Sequence, residues 1–214
     1  MLRGEKMTEI ETGRKRRLPA SERRRVILDA ALSAFVEFGY HGALMDTIAE
    51  RAEVTKPILY RHFSSKLDLL LAIIDNAGEE LRTSLLLPNP SEMDWRTSIR
   101  HSVHAYFEFV TSSEAAFRLI YDTDLNVDAR ARDRVIQIRK SIIEVVSGVI
   151  SSYTDTDRVP REDIDVLALI LIGMVESTVI YWMNNKDRPA EKYEQGLVQA
   201  ISTILSKLPP RPAP

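Results

Sequence analysis

The chain contains no cysteine. Disulfides, thiolate nucleophiles and Cys-ligated zinc or iron–sulfur sites are therefore excluded. Glycine is scarce, with 8 in 214 residues, and none falls in a spacing that cradles a nucleotide phosphate. There is no Gly-x-Ser-x-Gly elbow and no Asp/Glu/His spacing diagnostic of a catalytic metal, which argues against an enzyme and against a metal or cofactor. No stretch alternates apolar and polar residues over the length of a strand. The N-terminal residues carry charge without an apolar core, unlike a secretory signal. The longest apolar run, Val166–Val175, ends at Glu176 after ten residues, short of a bilayer span. The expectation is a cytoplasmic protein with no membrane partner.

What is present is the balance of a globular protein, 44% hydrophobic and 28% charged, with enough chain for a sizeable core in one or two domains. The net charge of −2 conceals an asymmetry. Residues 1–74 hold 13 Lys and Arg against 10 Asp and Glu, and the remainder 16 against 21. Basic residues crowd most tightly at Arg14–Arg25, where seven of them face Glu22 alone. Such a cluster suits a polyanion partner, and equally a solvated tail.

Almost every segment reads as helix, so the fold class is all-α. Ile27, Ala30, Ala31, Ala34, Phe35 and Phe38 recur at helical spacing between Ser21, an N-cap, and Gly39, a stop. Short helices over about 45–52 and 56–63 follow. Ser65-Lys66-Leu67-Asp68 has the form of a capping box and opens an apolar run to about Leu87. Further helices fit about 91–110, 113–121, 128–153, 161–184 and 190–208, with Pro160 and Pro189 near two of the starts.

The informative stretch is Met45–Ser64, MDTIAERAEVTKPILYRHFS. A helix-turn-helix needs two short helices crossing steeply, so its constraints are steric. Ile48, Ala52, Val54 and Leu59 fall at the buried positions, and Ala49 is small enough for the closest approach. Thr55 is a good N-cap for the second helix, and Pro57 lies in its first turn, where a missing N–H costs little. That helix offers Lys56, Tyr60, Arg61 and His62 to phosphates or base edges in a major groove. A plain helical hairpin would show the same apolar spacing.

Arg23–Ile74 resembles the DNA-binding domain of TetR-family transcriptional regulators. The resemblance rests on Ala31, Phe35, Gly39 and Tyr40, then Ile48-Ala49, then VTKPILYRHFSSKLDL, with the family's signature at Leu59, Tyr60, His62, Phe63 and Lys66. It implies a three-helix head that binds double-stranded operator DNA, a larger helical ligand-binding body and a homodimer. The implied organisation is a disordered basic arm at 1–18, a helix-turn-helix head at 19–66, a ligand-binding and dimerisation domain at 67–208, and a disordered tail at 209–214. By analogy Tyr60, His62 and Lys66 donate to phosphates, Lys56 and Pro57 face bases, and Thr55 completes the contact set. Arg16 and Arg17 of the arm are added as DNA candidates. Two residues depart from the family pattern. Glu53 stands where Gly is usual in the turn, and costs about 1 kcal/mol if that position is left-handed. Ala43 and Leu44 replace the usual Ser or Thr before the first helix of the motif.

In the body, His101, His104 and Glu108 share a helical face, which reads as a metal constellation or as a solvated polar face. The apolar faces read as plain core or as the wall of a tunnel. Here GYHGALMD, FEFV, FRLIYDTD and IGMVESTVIYWM resemble the actinobacterial fatty-acid-synthesis regulators within the TetR family. That resemblance implies a long-chain acyl-CoA as hydrophobic effector, its chain threading the body. Candidate wall residues are Leu70, Ile74, Tyr106, Phe107, Val110, Phe117, Ile120, Val146, Leu169, Ile172 and Met174. The last two helices, one apolar nearly all round, suit an intramolecular core or, by family analogy, the homodimer interface. Three rivals stay open: a TetR-type repressor of an efflux or catabolic operon sensing another hydrophobic molecule, a lipid carrier without regulatory role, and a constitutive DNA-architectural protein.

Overall fold

The helices read from apolar spacing are present, and three of them start at a side-chain cap. The computed structural model describes residues 19–86, 93–121, 128–185 and 187–211. They form α1 (Ala20–Gly42), α2 (Met45–Arg51), α3 (Lys56–His62), α4 (Lys66–Ser84), α5 (Trp95–Ser112), α6 (Glu114–Tyr121), α7 (Ala129–Tyr153), α8 (Arg161–Asn185) and α9 (Ala190–Leu205). The described residues contain no strand, and the fold is all-α. Ser65 caps α4 by accepting from the Asp68 N–H, Asp94 caps α5 through the N–H groups of Arg96 and Thr97, and Asp128 caps α7 through that of Arg130.

Several boundaries differ from the sequence expectation: α4 ends at Ser84, α5 starts at Trp95 and α9 ends at Leu205, each three or four residues inside the expected range, and three further differences have a physical cause. Pro19, not Ser21, is the N-cap of α1, and its fixed φ of −53° suits the helix entry. Gly39 interrupts α1 at φ +69° rather than ending it, and one more turn follows to Gly42. The tail expected to be disordered from 209 is held as far as Arg211. The Asp155 N–H donates to Pro209 O and the Arg211 N–H to Tyr153 O, both at 3.0 Å. The chain leaving α7 exposes one donor and one acceptor, and an extended Pro-rich segment matches both without needing its own missing N–H groups.

The helices α1, α2 and α3 enclose a head core in which Ile27, Ala31, Ala34, Ile48 and Leu59 are wholly buried. Helix α4 then runs out of the head and packs along α7 in the body. At Gly78 a Cβ would lie 2.8 Å from both the Cγ1 and Cγ2 of Ile138, so glycine is what lets these two helices approach. In the body α7 packs on α8 and α5 on α9, while α6 bridges α1, α4 and α5. Buried residues of head and body form one continuous cluster.

Candidate DNA-binding head and effector cavity

The turn of the helix-turn-helix is closed by Val54 N–H to Ala49 O and Glu53 N–H to Glu50 O, both 3.0 Å. Glu53 is indeed left-handed, at φ +50°. Ala49 is 3% exposed and sits at the helix crossing, as its size allows. Thr55 occupies the N-cap of α3, but its side chain makes no capping bond. It stands on the surface with Lys56, Pro57, Tyr60 and Arg61, while Leu59 and Phe63 are buried beneath. Leu44, at the N-cap of α2, is exposed and offers no capping oxygen, so that helix starts without a side-chain cap.

Two basic residues of the motif, Lys56 and Lys66, have polar partners within the protein. The Lys56 ammonium lies 2.7 Å from the Asp46 carboxylate of α2, which raises its pKa. Lys66 donates to His41 O and Ala43 O, each at 3.0 Å, and its Nζ sits 4.7 Å from the centre of the Tyr40 ring. Two of its three N–H bonds thus tie down the chain between α1 and α2. Burial pulls its pKa down. His62 is half-buried, with Nε2 lacking a hydrogen-bond partner among the described residues. Burial foremost, then the charges of Arg61, Arg23 and Arg24, hold its pKa below the usual 6.5. Arg24 also stacks on the Phe63 ring at 4.8 Å. Arg16 and Arg17 lie outside the described residues.

The body contains an apolar cavity of about 80 Å³ between α5, α7, α8 and α9. Tyr106, Val146 and Ile172 of the candidate wall line it, with Ile99, Val103, Ile142, Ile150 and Leu171; Ser98 and Ser102 are its polar groups. A side cavity of about 130 Å³ shares Tyr106, Ile142 and Ile172, and reaches Leu169 and the Arg139–Glu176 ion pair. A second space of about 290 Å³, termed the outer chamber, shares Ile99, Val149, Ile150 and Leu205 with the first and is bordered by the segment after α9.

Leu70, Ile74, Phe107, Val110 and Phe117 line none of these three spaces and are buried in the core. Phe107 packs on Trp182 at 5.4 Å and Phe117 meets Tyr106 edge-on at 6.4 Å. Ile120 and Met174 are half-buried against the same core. Helical spacing identifies a buried face but not whether a neighbour or a void lies beyond it. His104 pairs with Glu194 of α9 at 3.2 Å, away from His101, and no three His, Asp or Glu side chains among the described residues converge as a metal site.

Two family models match the chain: "Bacterial regulatory proteins, tetR family" over residues 27–73, and "Tetracyclin repressor-like, C-terminal domain" over 95–204. The chain belongs to the TetR family. It is 34% identical over 209 residues to the HTH-type transcriptional activator FasR of Mycolicibacterium smegmatis, covering 97% of this chain and 94% of that one. It is 29% identical over 168 residues to the HTH-type transcriptional repressor KstR of Rhodococcus jostii, covering 77% and 74%. A TetR-family regulator from Streptomyces coelicolor shares the fold at TM-score 0.72 and 20% identity, over 88% of this chain and 82% of that one. The protein is therefore a transcriptional regulator of TetR type and not an enzyme. Regulators of this family bind operator DNA as dimers and respond to small molecules.

Proposed function

We propose that this regulator controls genes of fatty-acid or lipid metabolism from the cytoplasm, and that a long-chain acyl-CoA entering the body cavity releases it from a pseudo-palindromic operator. The observation that carries this reading is the apolar cavity between α5, α7, α8 and α9, in a chain 34% identical to FasR along nearly its whole length. Its walls are mainly hydrocarbon, which suits an extended acyl chain. Thr55, Lys56, Pro57, Tyr60 and His62 are the groups that meet DNA, together with Lys66, which also ties down the chain between α1 and α2.

Dimerisation through α8 and α9 supplies the second half-site. Val166, Leu169, Ile170 and Tyr181 on α8 are each more than half exposed, beside Ile204 on α9. An 18-residue window of α8 has a mean hydropathy of 2.0, yet only 22% of it is buried within one chain. An apolar face of that extent on a helix of this fold is what a second copy covers. The two recognition helices would then enter major grooves about 34–36 Å apart or a multiple of it.

The test is operator binding titrated against acyl-CoAs of increasing chain length, with free CoA as control. Release that grows with chain length supports the reading. Release that ignores chain length, or that free CoA matches, assigns the cavity to another hydrophobic molecule. Val146→Phe, which fills the cavity, should abolish the response and leave DNA binding intact without effector.

A further inference from the structure

The outer chamber is roomier than the inner cavity, about 290 Å³ against about 80 Å³. Ile99, Val149, Ile150 and Leu205 border both, so the two spaces are neighbours through a shared apolar wall. Trp95 and Tyr153 add aromatic surface to the chamber, and Leu208 and Pro210 complete its wall. Trp95 belongs to α5, Tyr153 to α7 and Leu205 to α9. Leu208 and Pro210 belong to the extended segment after α9.

That segment is one chain thick. Pro210 and Arg211 are exposed on its outer side, while Pro210 also faces the chamber. Two backbone hydrogen bonds, Asp155 N–H to Pro209 O and Arg211 N–H to Tyr153 O, clasp it to the end of α7. Pro209 and Pro210 have no N–H to offer, so the clasp cannot lengthen into a sheet edge. Moving a helical wall would unpack core side chains; lifting this segment uncovers half-buried Leu208 and breaks two bonds that water can replace. The clasp is also tied to the inner cavity. The Tyr153 hydroxyl donates to Met93 O at 2.9 Å and shares a proton contact of 2.8 Å with Ser98, a residue of the inner wall.

We propose that Leu208–Arg211 is a displaceable strap over the outer chamber, and that a ligand with a long apolar chain enters and leaves the body beneath it. This rests on the reading that the cavity takes an apolar chain, and it adds the route and the element that controls the rate.

Thr154 and Pro210 face each other between the two hydrogen bonds. Such a non-hydrogen-bonded pair has its Cα atoms about 4.5 Å apart, within the range a disulfide spans. Because the chain has no cysteine of its own, the double substitution Thr154→Cys with Pro210→Cys forms one defined lock. The experiment measures uptake and release of cis-parinaric acid, a fluorescent fatty acid, by the full-length protein with the lock oxidised and reduced. A variant ending at Leu208 carries the same test in the opposite direction. The expected result is exchange slowed on the order of tenfold on oxidation, restored on reduction and accelerated by the deletion, with affinity changed much less than the rates.

Equal exchange in the oxidised and reduced forms, with the deletion variant unchanged, overturns the strap and leaves the effector reading standing. Rates that obey the lock while acyl-CoA fails to release DNA uphold the strap and remove acyl-CoA as effector. A probe that binds no form of the protein overturns both.

Discussion

Lys56 and Asp46 face each other at 2.7 Å across the helix-turn-helix, both on the exposed side that the recognition helix presents. With Lys56 meeting DNA as proposed, the carboxylate competes for the ammonium at the start of α3. Asp46→Asn should raise affinity for all DNA sequences and steepen the salt dependence by about 0.9 in log–log slope, the contribution of one additional phosphate contact. An unchanged slope, measured by titration at several salt concentrations, would show that Lys56 reads a base or nothing at all.

Glu53 holds φ +50° in the turn, a conformation that crowds a Cβ against the following carbonyl. Replacing it by Gly removes that strain, against which stands the greater freedom of Gly in the unfolded chain. The balance should stabilise the protein by up to about 1 kcal/mol, a rise in Tm of about 2–4 °C for a chain of this size. A melting temperature lowered by Glu53→Gly would mean that the contacts made by the Glu53 side chain outweigh its backbone strain.

Gly78 is the point of closest approach between α4 and α7, where Ile138 occupies the space of a Cβ. Gly78→Ala should cost about 1–3 kcal/mol by overpacking. Pairing it with Ile138→Ala should recover part of that loss, since the two residues share one volume. Denaturant unfolding of the two single variants and the pair decides it; additive losses would place the strain elsewhere.

His62 gives the head a pH dependence of definite sign. Its folded pKa lies below the unfolded 6.5, so the unfolded chain binds the proton more readily. Its contribution is complete above about pH 6.5 and is lost as pH falls through that value toward the folded pKa. Thermal melts from pH 7.5 to 5 should show less acid destabilisation in His62→Gln than in the parent. Identical slopes would assign the effect to other groups.

The architecture of the head was legible because its constraints are local and steric. Ala49 at a close crossing, Leu59 beneath the recognition helix and Thr55 at its start each follow from spacing alone, and Gly39 announces a break. The cavity was not legible in the same way. Tyr106 and Phe107 are adjacent and both buried, yet only Tyr106 borders the cavity while Phe107 packs on Trp182. Which buried face adjoins a void depends on the summed volumes of four helices, and no periodicity in one of them contains that sum. The pairing of Pro209–Arg211 with the end of α7 was hidden for a different reason. Its partners are more than fifty residues away in sequence, and a Pro-rich end has the composition of a loose tail. Lys66 illustrates a third limit: the family signature marks the position, but its bonds to His41 and Ala43 depend on how α1 ends.

The course of α4 bears on how this regulator could be recombined with others. It begins at Lys66, inside the sequence boundary between head and body, and continues without interruption to Ser84. Leu67, Leu69 and Leu70 at one end and Ala77, Gly78 and Leu81 at the other are buried on the same helix. A chimera spliced at residue 66 would therefore graft a foreign helix face onto the native α1, and one spliced after residue 84 would set a native α4 against a foreign α7. Neither cut inherits a matched pair of surfaces. The interchangeable unit is a head together with its own α4 and the face of α7 that packs into the groove left by Gly78, so a productive hybrid must carry Gly78 and Ile138 from the same parent.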